Sequence, residues 1–204
     1  MSLTRVKDLL ALYDLKGFKM ADFSLSVCVF CGARSGAHPD YAKAADDFGR
    51  AIADENWRLV YGAGDVGLMG TVARATQDAG GSTFGVIPVH LLKQEVGKTD
   101  LSTFVVTENM HERKKVMFMN CDAIVVLPGG AGSLDEFFEV LTWKQIGLHE
   151  KPIYLLSVND YWAPLEALID HVIAEGFASD INKSFYKTVS SVEELTADLR
   201  ALRS

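Results

Sequence analysis

Apolar residues along this chain follow two alternating rhythms. Short runs in which nearly every position is apolar occur at 26–30, 58–61, 83–87, 103–106, 123–127 and 152–156, as in strands covered on both faces. Between them the spacing lengthens to the helical period. Tyr41, Ala45, Phe48 and Ile52 mark one helix face, Leu68, Val72 and Ala75 a second, and Val116, Phe118 and Met119 part of a third. Further on, 160–175 reads as a helix carrying Leu165, Leu168, Ile169 and Val172. Another follows Ser191, because Ser191-Val192-Glu193-Glu194 has capping-box spacing. Strand and helix alternate throughout, which predicts an α/β fold: a Rossmann-like, doubly wound parallel sheet with helices on both faces. Ligands of such sheets bind outside the carboxyl ends of the strands, where strand order reverses.

The first twenty residues stand apart. Val6, Leu9, Leu10 and Tyr13 recur at helical spacing, predicting an amphipathic helix that precedes the main fold. The chain therefore reads as an N-terminal extension over 1–24 and one nucleotide-binding domain over 25–204, with no long linker or internal repeat. At 204 residues, 49% of them hydrophobic and 23% charged, it can bury a sizeable core.

Charge and cysteine content narrow the function classes. Twenty Lys and Arg against 27 Asp and Glu give a formal charge of −7. With no dense basic block, the chain lacks the electrostatics of a nucleic-acid binder and suits a small ligand held at one local site. No apolar run approaches the roughly 20 residues that span a bilayer, and the N-terminus lacks an apolar signal core, so no membrane partner is expected. Three cysteines, Cys28, Cys31 and Cys121, are too few for a disulfide framework and fit a reducing cytoplasm. Cys28 and Cys31 have the spacing of a redox or zinc pair, but on a strand residues three apart face opposite sides. No metal or other cofactor is assigned.

Candidate chemistry lies on glycine loops at strand ends. After the run 123–127 comes Pro128-Gly129-Gly130-Ala131-Gly132-Ser133-Leu134-Asp135-Glu136. Tightly spaced glycines let backbone N–H groups approach an anion, and the helix behind them adds its positive end. Ser133 reads as the helix cap, and phosphate as the natural occupant of the loop. Glu136 would repel that phosphate unless it faced another part of the same ligand, which points to sugar recognition or catalysis. An ordinary helix-start acid is the plain alternative. A second glycine stretch, Tyr61-Gly62-Ala63-Gly64-Asp65-Val66-Gly67-Leu68-Met69-Gly70, is neither a full dinucleotide fingerprint nor a Walker loop. Tight turning and close helix packing explain it equally well. Met110-His111-Glu112-Arg113-Lys114 places adjacent cations between a strand and a helix.

In their order and spacing, these three segments resemble the LONELY GUY (LOG) family, the cytokinin riboside 5'-monophosphate phosphoribohydrolases. That family carries Gly-Gly-Gly-x-x-Gly-Leu-Met-Gly, Met-His-x-Arg-Lys and Pro-Gly-Gly-x-Gly-Thr-x-x-Glu. The opening Phe30-Cys31-Gly32-Ala33-Arg34-Ser35-Gly36 is similar to its Cys-Gly-Ser-Ser start, and the likeness runs over about 26–190. Departures are Ala63 for the middle glycine, tolerable if that residue sits at negative φ, Ser133 for threonine, and Ala33-Arg34 for the serine pair.

The resemblance implies hydrolysis of a nucleoside 5'-monophosphate, AMP or an N6-prenylated AMP, to free base and ribose 5-phosphate without a cofactor. By the family pattern Glu136 and Arg113 are catalytic. Lys114 assists, Gly129, Gly130, Gly132 and Ser133 hold the 5'-phosphate, and Glu95 and Thr142 are further substrate contacts. The resemblance also implies a homodimer. A non-catalytic nucleotide or molybdenum-cofactor carrier of the same architecture is the alternative. The lysine decarboxylase label often attached to such proteins requires pyridoxal phosphate on a lysine, and no segment specifies that site.

Overall fold

The structure is a computed structural model that describes residues 23–92 and 100–202. The amphipathic segment read at 1–20 and Glu95 therefore lie outside the described residues. Seven parallel strands form one sheet: β1 (Leu25–Phe30), β2 (Trp57–Tyr61), β3 (Ser82–Pro88), β4 (Thr103–Thr107), β5 (Ala123–Val126), β6 (Ile153–Leu156) and β7 (Lys187–Val189). Among the described residues, six α-helices connect or follow them: α1 (Pro39–Asp54), α2 (Gly67–Asp78), α3 (Met110–Met119), α4 (Ala131–Gln145), α5 (Ala163–Ala174) and α6 (Val192–Ala201). All six strands read from the sequence are present. β7 was not read, since its three residues are too short to show a rhythm.

Alternation along β1 explains the layering. Leu25, Val27 and Val29 pack into one core with Phe48 and Ile52 of α1, Val72 of α2 and Leu195 of α6. Cys28 and Phe30 turn the other way, joining Met117 of α3, Phe137 and Val140 of α4, and Leu165 and Ile169 of α5. Helices cover both faces, so the central strands read as almost continuously apolar. Cys28 and Cys31 accordingly lie in opposite layers, and all three cysteines are buried and unbridged.

Strand order is β4-β3-β2-β1-β5-β6-β7. The chain builds outward from β1 to β4, then returns to lay β5 on the other side of β1. Val27 pairs with Ala123 and Phe30 with Val126. The reversal point is thus between β1 and β5, and the loops leaving these two strands face each other across it.

Two local readings are corrected. The inward residues of α3 are Arg113, Lys114 and Met117, while Met119 is 68% exposed and Val116 and Phe118 are half-buried. This face carries no apolar periodicity because two of its three members are cations. Ala63 takes φ 57°, the left-handed region that favours glycine, and not the negative φ anticipated for it. At α6 the capping reading holds: Ser191 Oγ accepts from the Glu194 N–H at 3.2 Å. The Glu194 carboxylate reaches back to the N–H of Ser190 at 3.0 Å.

Candidate active site

Between the loops after β1 and β5 lies a cavity of about 630 Å³. Backbone contacts draw its two walls together. Leu127 N–H donates to the Phe30 carbonyl at 2.9 Å, and Gly32 N–H to the Pro128 carbonyl at 3.0 Å. Gly32 in turn accepts from Leu68 N–H at 3.0 Å, which anchors the first loop to the start of α2.

The glycine loop after β5 divides its glycines between two tasks. A Cβ on Gly129 would sit 2.1 Å from Ser133 Oγ and 2.9 Å from Gly32 N, so only glycine fits there. Gly130 and Gly132 have nothing within 4 Å of a hypothetical Cβ. Protein packing does not require glycine at these two positions; a ligand drawn against the backbone would. Both line the cavity, as does the 3%-exposed Ser133. Helix α4 begins at Ala131 with Gly130 as its N-cap. Ser133 is therefore not the cap but the third residue of the first turn, its hydroxyl beside Gly129. Among the described residues, the first N–H of this helix with a carbonyl partner is that of Leu134, bonded to Gly130 at 3.0 Å. Unpaired N–H groups at such a terminus form an anion site.

Arg113 enters the cavity from α3 and is 4% exposed. Its Nη2 donates to the Gly62 carbonyl at 2.8 Å and its Nε to the Val86 carbonyl at 3.2 Å. The ends of β2 and β3 thus fix the guanidinium plane, and charge-assisted bonds of this kind resist rotation. Glu136, half-buried in the first turns of α4, also lines the cavity. Cys31 lines the same cavity. Burial raises its thiol pKa, the Glu136 charge raises it further, and Arg113 partly opposes both. Cys31 is therefore held as a neutral thiol.

Lys114 does not line the cavity. Its side chain is 7% exposed, and Nζ bonds Asp135 at 2.9 Å and Glu139 at 3.0 Å. Burial alone would lower its pKa, but the two carboxylates outweigh that and leave it raised. Lys114 and Asp135 immediately follow and precede the cavity residues Arg113 and Glu136, so this ion pair fixes the register of α3 against α4. Thr142 is exposed on α4, in the outward stripe Phe138, Thr142 and Ile146, and does not reach the cavity of its own chain. No described group of three or more His, Cys, Asp or Glu is arranged to hold a metal ion.

Sequence reasoning missed several lining residues. Tyr41 and Tyr161 form an edge-on aromatic wall with centroids 5.5 Å apart, and Arg34 lies in the loop after β1. Arg34 was visible as a departure from the family opening. Tyr161 had only the Asn159-Asp160 turn signal before it.

Residues 69–199 match a family described as possible lysine decarboxylase. The cytokinin riboside 5'-monophosphate phosphoribohydrolase of Rhodococcoides fascians is 44% identical over 177 residues, covering 86% of this chain and 89% of that protein. A probable cytokinin riboside 5'-monophosphate phosphoribohydrolase of Oryza sativa subsp. japonica is 39% identical over 174 residues, 85% of this chain and 76% of the relative. Among solved structures, the molybdenum cofactor carrier protein of Chlamydomonas reinhardtii superposes with a TM-score of 0.65 at 20% identity, covering 87% of this chain and 97% of that one. At that identity the likeness is one of fold.

Proposed function

Because this chain belongs to the LONELY GUY family of cytokinin riboside 5'-monophosphate phosphoribohydrolases, we propose that it hydrolyses the N-glycosidic bond of a nucleoside 5'-monophosphate, AMP or an N6-prenylated AMP. The products are the free base and ribose 5-phosphate. One observation carries the reading: a buried, backbone-fixed Arg113 and a Glu136 carboxylate share one cavity with an anion-binding glycine loop.

The glycine loop holds the 5'-phosphate, with Gly130 and Gly132 allowing close approach and Ser133 on the same wall. That grip sets the ribose over Glu136. As the glycosidic bond lengthens, positive charge builds on the ribose ring, as in the oxocarbenium-like transition states of glycoside hydrolysis. The Glu136 carboxylate stabilises that charge and accepts a proton from the attacking water. Arg113, unable to swing away from Gly62 and Val86, offers fixed positive charge to the departing base. Lys114 acts one step back, through the alignment of α3 and α4.

Pyridoxal phosphate, which a lysine decarboxylase would use, does not suit this cavity. It needs a lysine for the Schiff base, and no described lysine lines the cavity. The three buried thiols accord with a cytoplasmic enzyme. The enzyme is a homodimer on this reading. Met119, Ile146 and Leu148, each at least 64% exposed on or beside α3 and α4, supply an apolar face for a second copy, and light scattering tests it.

The assay incubates the protein with AMP, N6-isopentenyl-AMP and adenosine and follows free base and ribose 5-phosphate by chromatography. Release from a monophosphate and not from adenosine is the expected result, reduced by about 100-fold or more in Glu136→Gln. Nucleotide bound yet left intact would replace hydrolysis with a carrier role.

A further inference from the structure

Tyr161 reaches the cavity from an unusual piece of backbone. The turn after β6 places two successive non-glycine residues, Asn159 (φ 52°) and Asp160 (φ 55°), in the left-handed region, at a cost of about 1–2 kcal/mol each. Asn and Asp tolerate that region better than most residues, but two in a row require support. Support is present on both sides. Ser157 Oγ accepts from the Trp162 N–H at 3.1 Å, closing the turn. Asn159 Nδ2 donates to Asp40 Oδ2 at 2.9 Å, tying the turn to the start of α1.

What this strained turn delivers is one contact: the Tyr161 hydroxyl donates to the Gly129 carbonyl at 2.6 Å. That carbonyl shares a planar peptide unit with the N–H of Gly130, and no described peptide bond is cis. In a trans peptide the two groups point in opposite directions. Pinning the Gly129 oxygen therefore fixes the direction of the Gly130 N–H, which belongs to the residue whose Cβ side is open. Without the phenol, a peptide between two glycines could rotate at little cost. The ring is itself held edge-on by Tyr41 at 5.5 Å and Trp162 at 4.8 Å.

We propose that Tyr161 is a positioning residue of the phosphate site: through Gly129 it holds the glycine loop in its anion-binding orientation, touching no reacting atom. This rests on the phosphoribohydrolase reading for the identity of the anion. Tyr161→Phe removes the hydroxyl alone and keeps the ring packing. Binding of ribose 5-phosphate is measured by calorimetry, steady-state kinetics on AMP are run alongside, and both are corrected for folded fraction from thermal denaturation. The expected result is about three- to tenfold weaker ribose 5-phosphate binding and a similar rise in KM. The turnover number stays within about twofold, since the lost interaction is made equally in ground and transition states.

Unchanged affinity and KM in a wild-type-active system overturns the positioning role alone, as does an affinity loss that only tracks the folded fraction. Wild type that leaves AMP intact, yet binds ribose 5-phosphate more tightly than the phenylalanine variant, overturns hydrolysis and keeps the positioning role. No ribose 5-phosphate binding by wild type overturns both.

Discussion

The guanidinium of Arg113 occupies the space that any side chain at Gly62 would need: a Cβ there would lie 1.8 Å from Nη2 and 2.8 Å from Cζ. The glycine at the end of β2 is thus a fitting for an arginine 51 positions later. Gly62→Ala must expel the guanidinium from its two carbonyls. Activity on a nucleotide monophosphate is expected to fall at least about tenfold, because a misplaced charge loses its electrostatic contribution. Retained kcat/KM in that variant would show that Arg113 acts from another position.

Gly129 and Gly132 are predicted to behave oppositely. Gly129→Ala forces a Cβ against Ser133 and Gly32 and destabilises the fold by about 1–3 kcal/mol. Gly132→Ala meets open space within α4, where alanine favours the helix by up to about 1 kcal/mol. Its thermal midpoint should stay level or rise while ribose 5-phosphate binding weakens. Undiminished binding in Gly132→Ala would remove the anion from this face of the loop.

Lys114→Met keeps the volume of the stem and deletes the charge between Asp135 and Glu139. Both carboxylates retain solvent access, with side-chain exposures of 63% and 22%, so the stability cost is about 1–2 kcal/mol and not the larger penalty of a fully buried pair. The sharper effect falls on kcat, since α3 and α4 lose the bond that registers Arg113 with Glu136. Denaturant melts and kinetics on the same preparation separate the two effects.

His149 makes stability pH-dependent. Its Nε2 bonds the Val140 carbonyl at 2.9 Å while Nδ1 accepts the Lys151 N–H at 3.1 Å, so the neutral ring satisfies both nitrogens. A second proton would have to sit on Nδ1, facing a donor. Burial lowers the pKa, the bond to Val140 partly offsets it, and nearby Lys144 and Lys151 lower it again. A depressed folded pKa contributes stability that is present above the ordinary value of 6.5 and lost as pH falls through the lower folded value. Wild type should lose stability as pH falls below about 6.5, and His149→Gln should show a flatter profile over that window. Parallel profiles would mean that other groups carry the acid sensitivity.

At Ala63 two opposed terms nearly cancel. Relieving the left-handed φ gains about 1 kcal/mol, and removing a fully buried methyl loses about 0.8 kcal/mol. Ala63→Gly is therefore expected to change stability by less than about 1 kcal/mol. Ala63→Val adds bulk beside Gly85 and a β-branched residue at positive φ, costing about 3 kcal/mol or more. Urea denaturation of the two variants tests both expectations.

Much of the fold was legible because its signals are local. Strands such as 123–127 announce themselves by unbroken apolar runs, and the loop 128–136 carries its glycines, hydroxyl and carboxylate within nine residues. The failures have a physical pattern. Met119 was read inward because periodicity counts only apolar residues, whereas the buried face of α3 presents Arg113 and Lys114, made acceptable by carbonyls and carboxylates from other elements.

By itself, then, the sequence determined the alternating α/β architecture, the glycine loop at a helix start and the residue types gathered beside it, because each is written in neighbouring residues. Only the tertiary structure decided how they meet. Strand order brings β1 beside β5 and so opposes two loops about a hundred residues apart. Gly62 clears the place of Arg113, Asp135 and Glu139 hold Lys114 between α3 and α4, and Tyr161 fastens Gly129. Each of these is a contact between elements distant in sequence, and residue spacing carries no record of which distant groups share a space until the chain has packed.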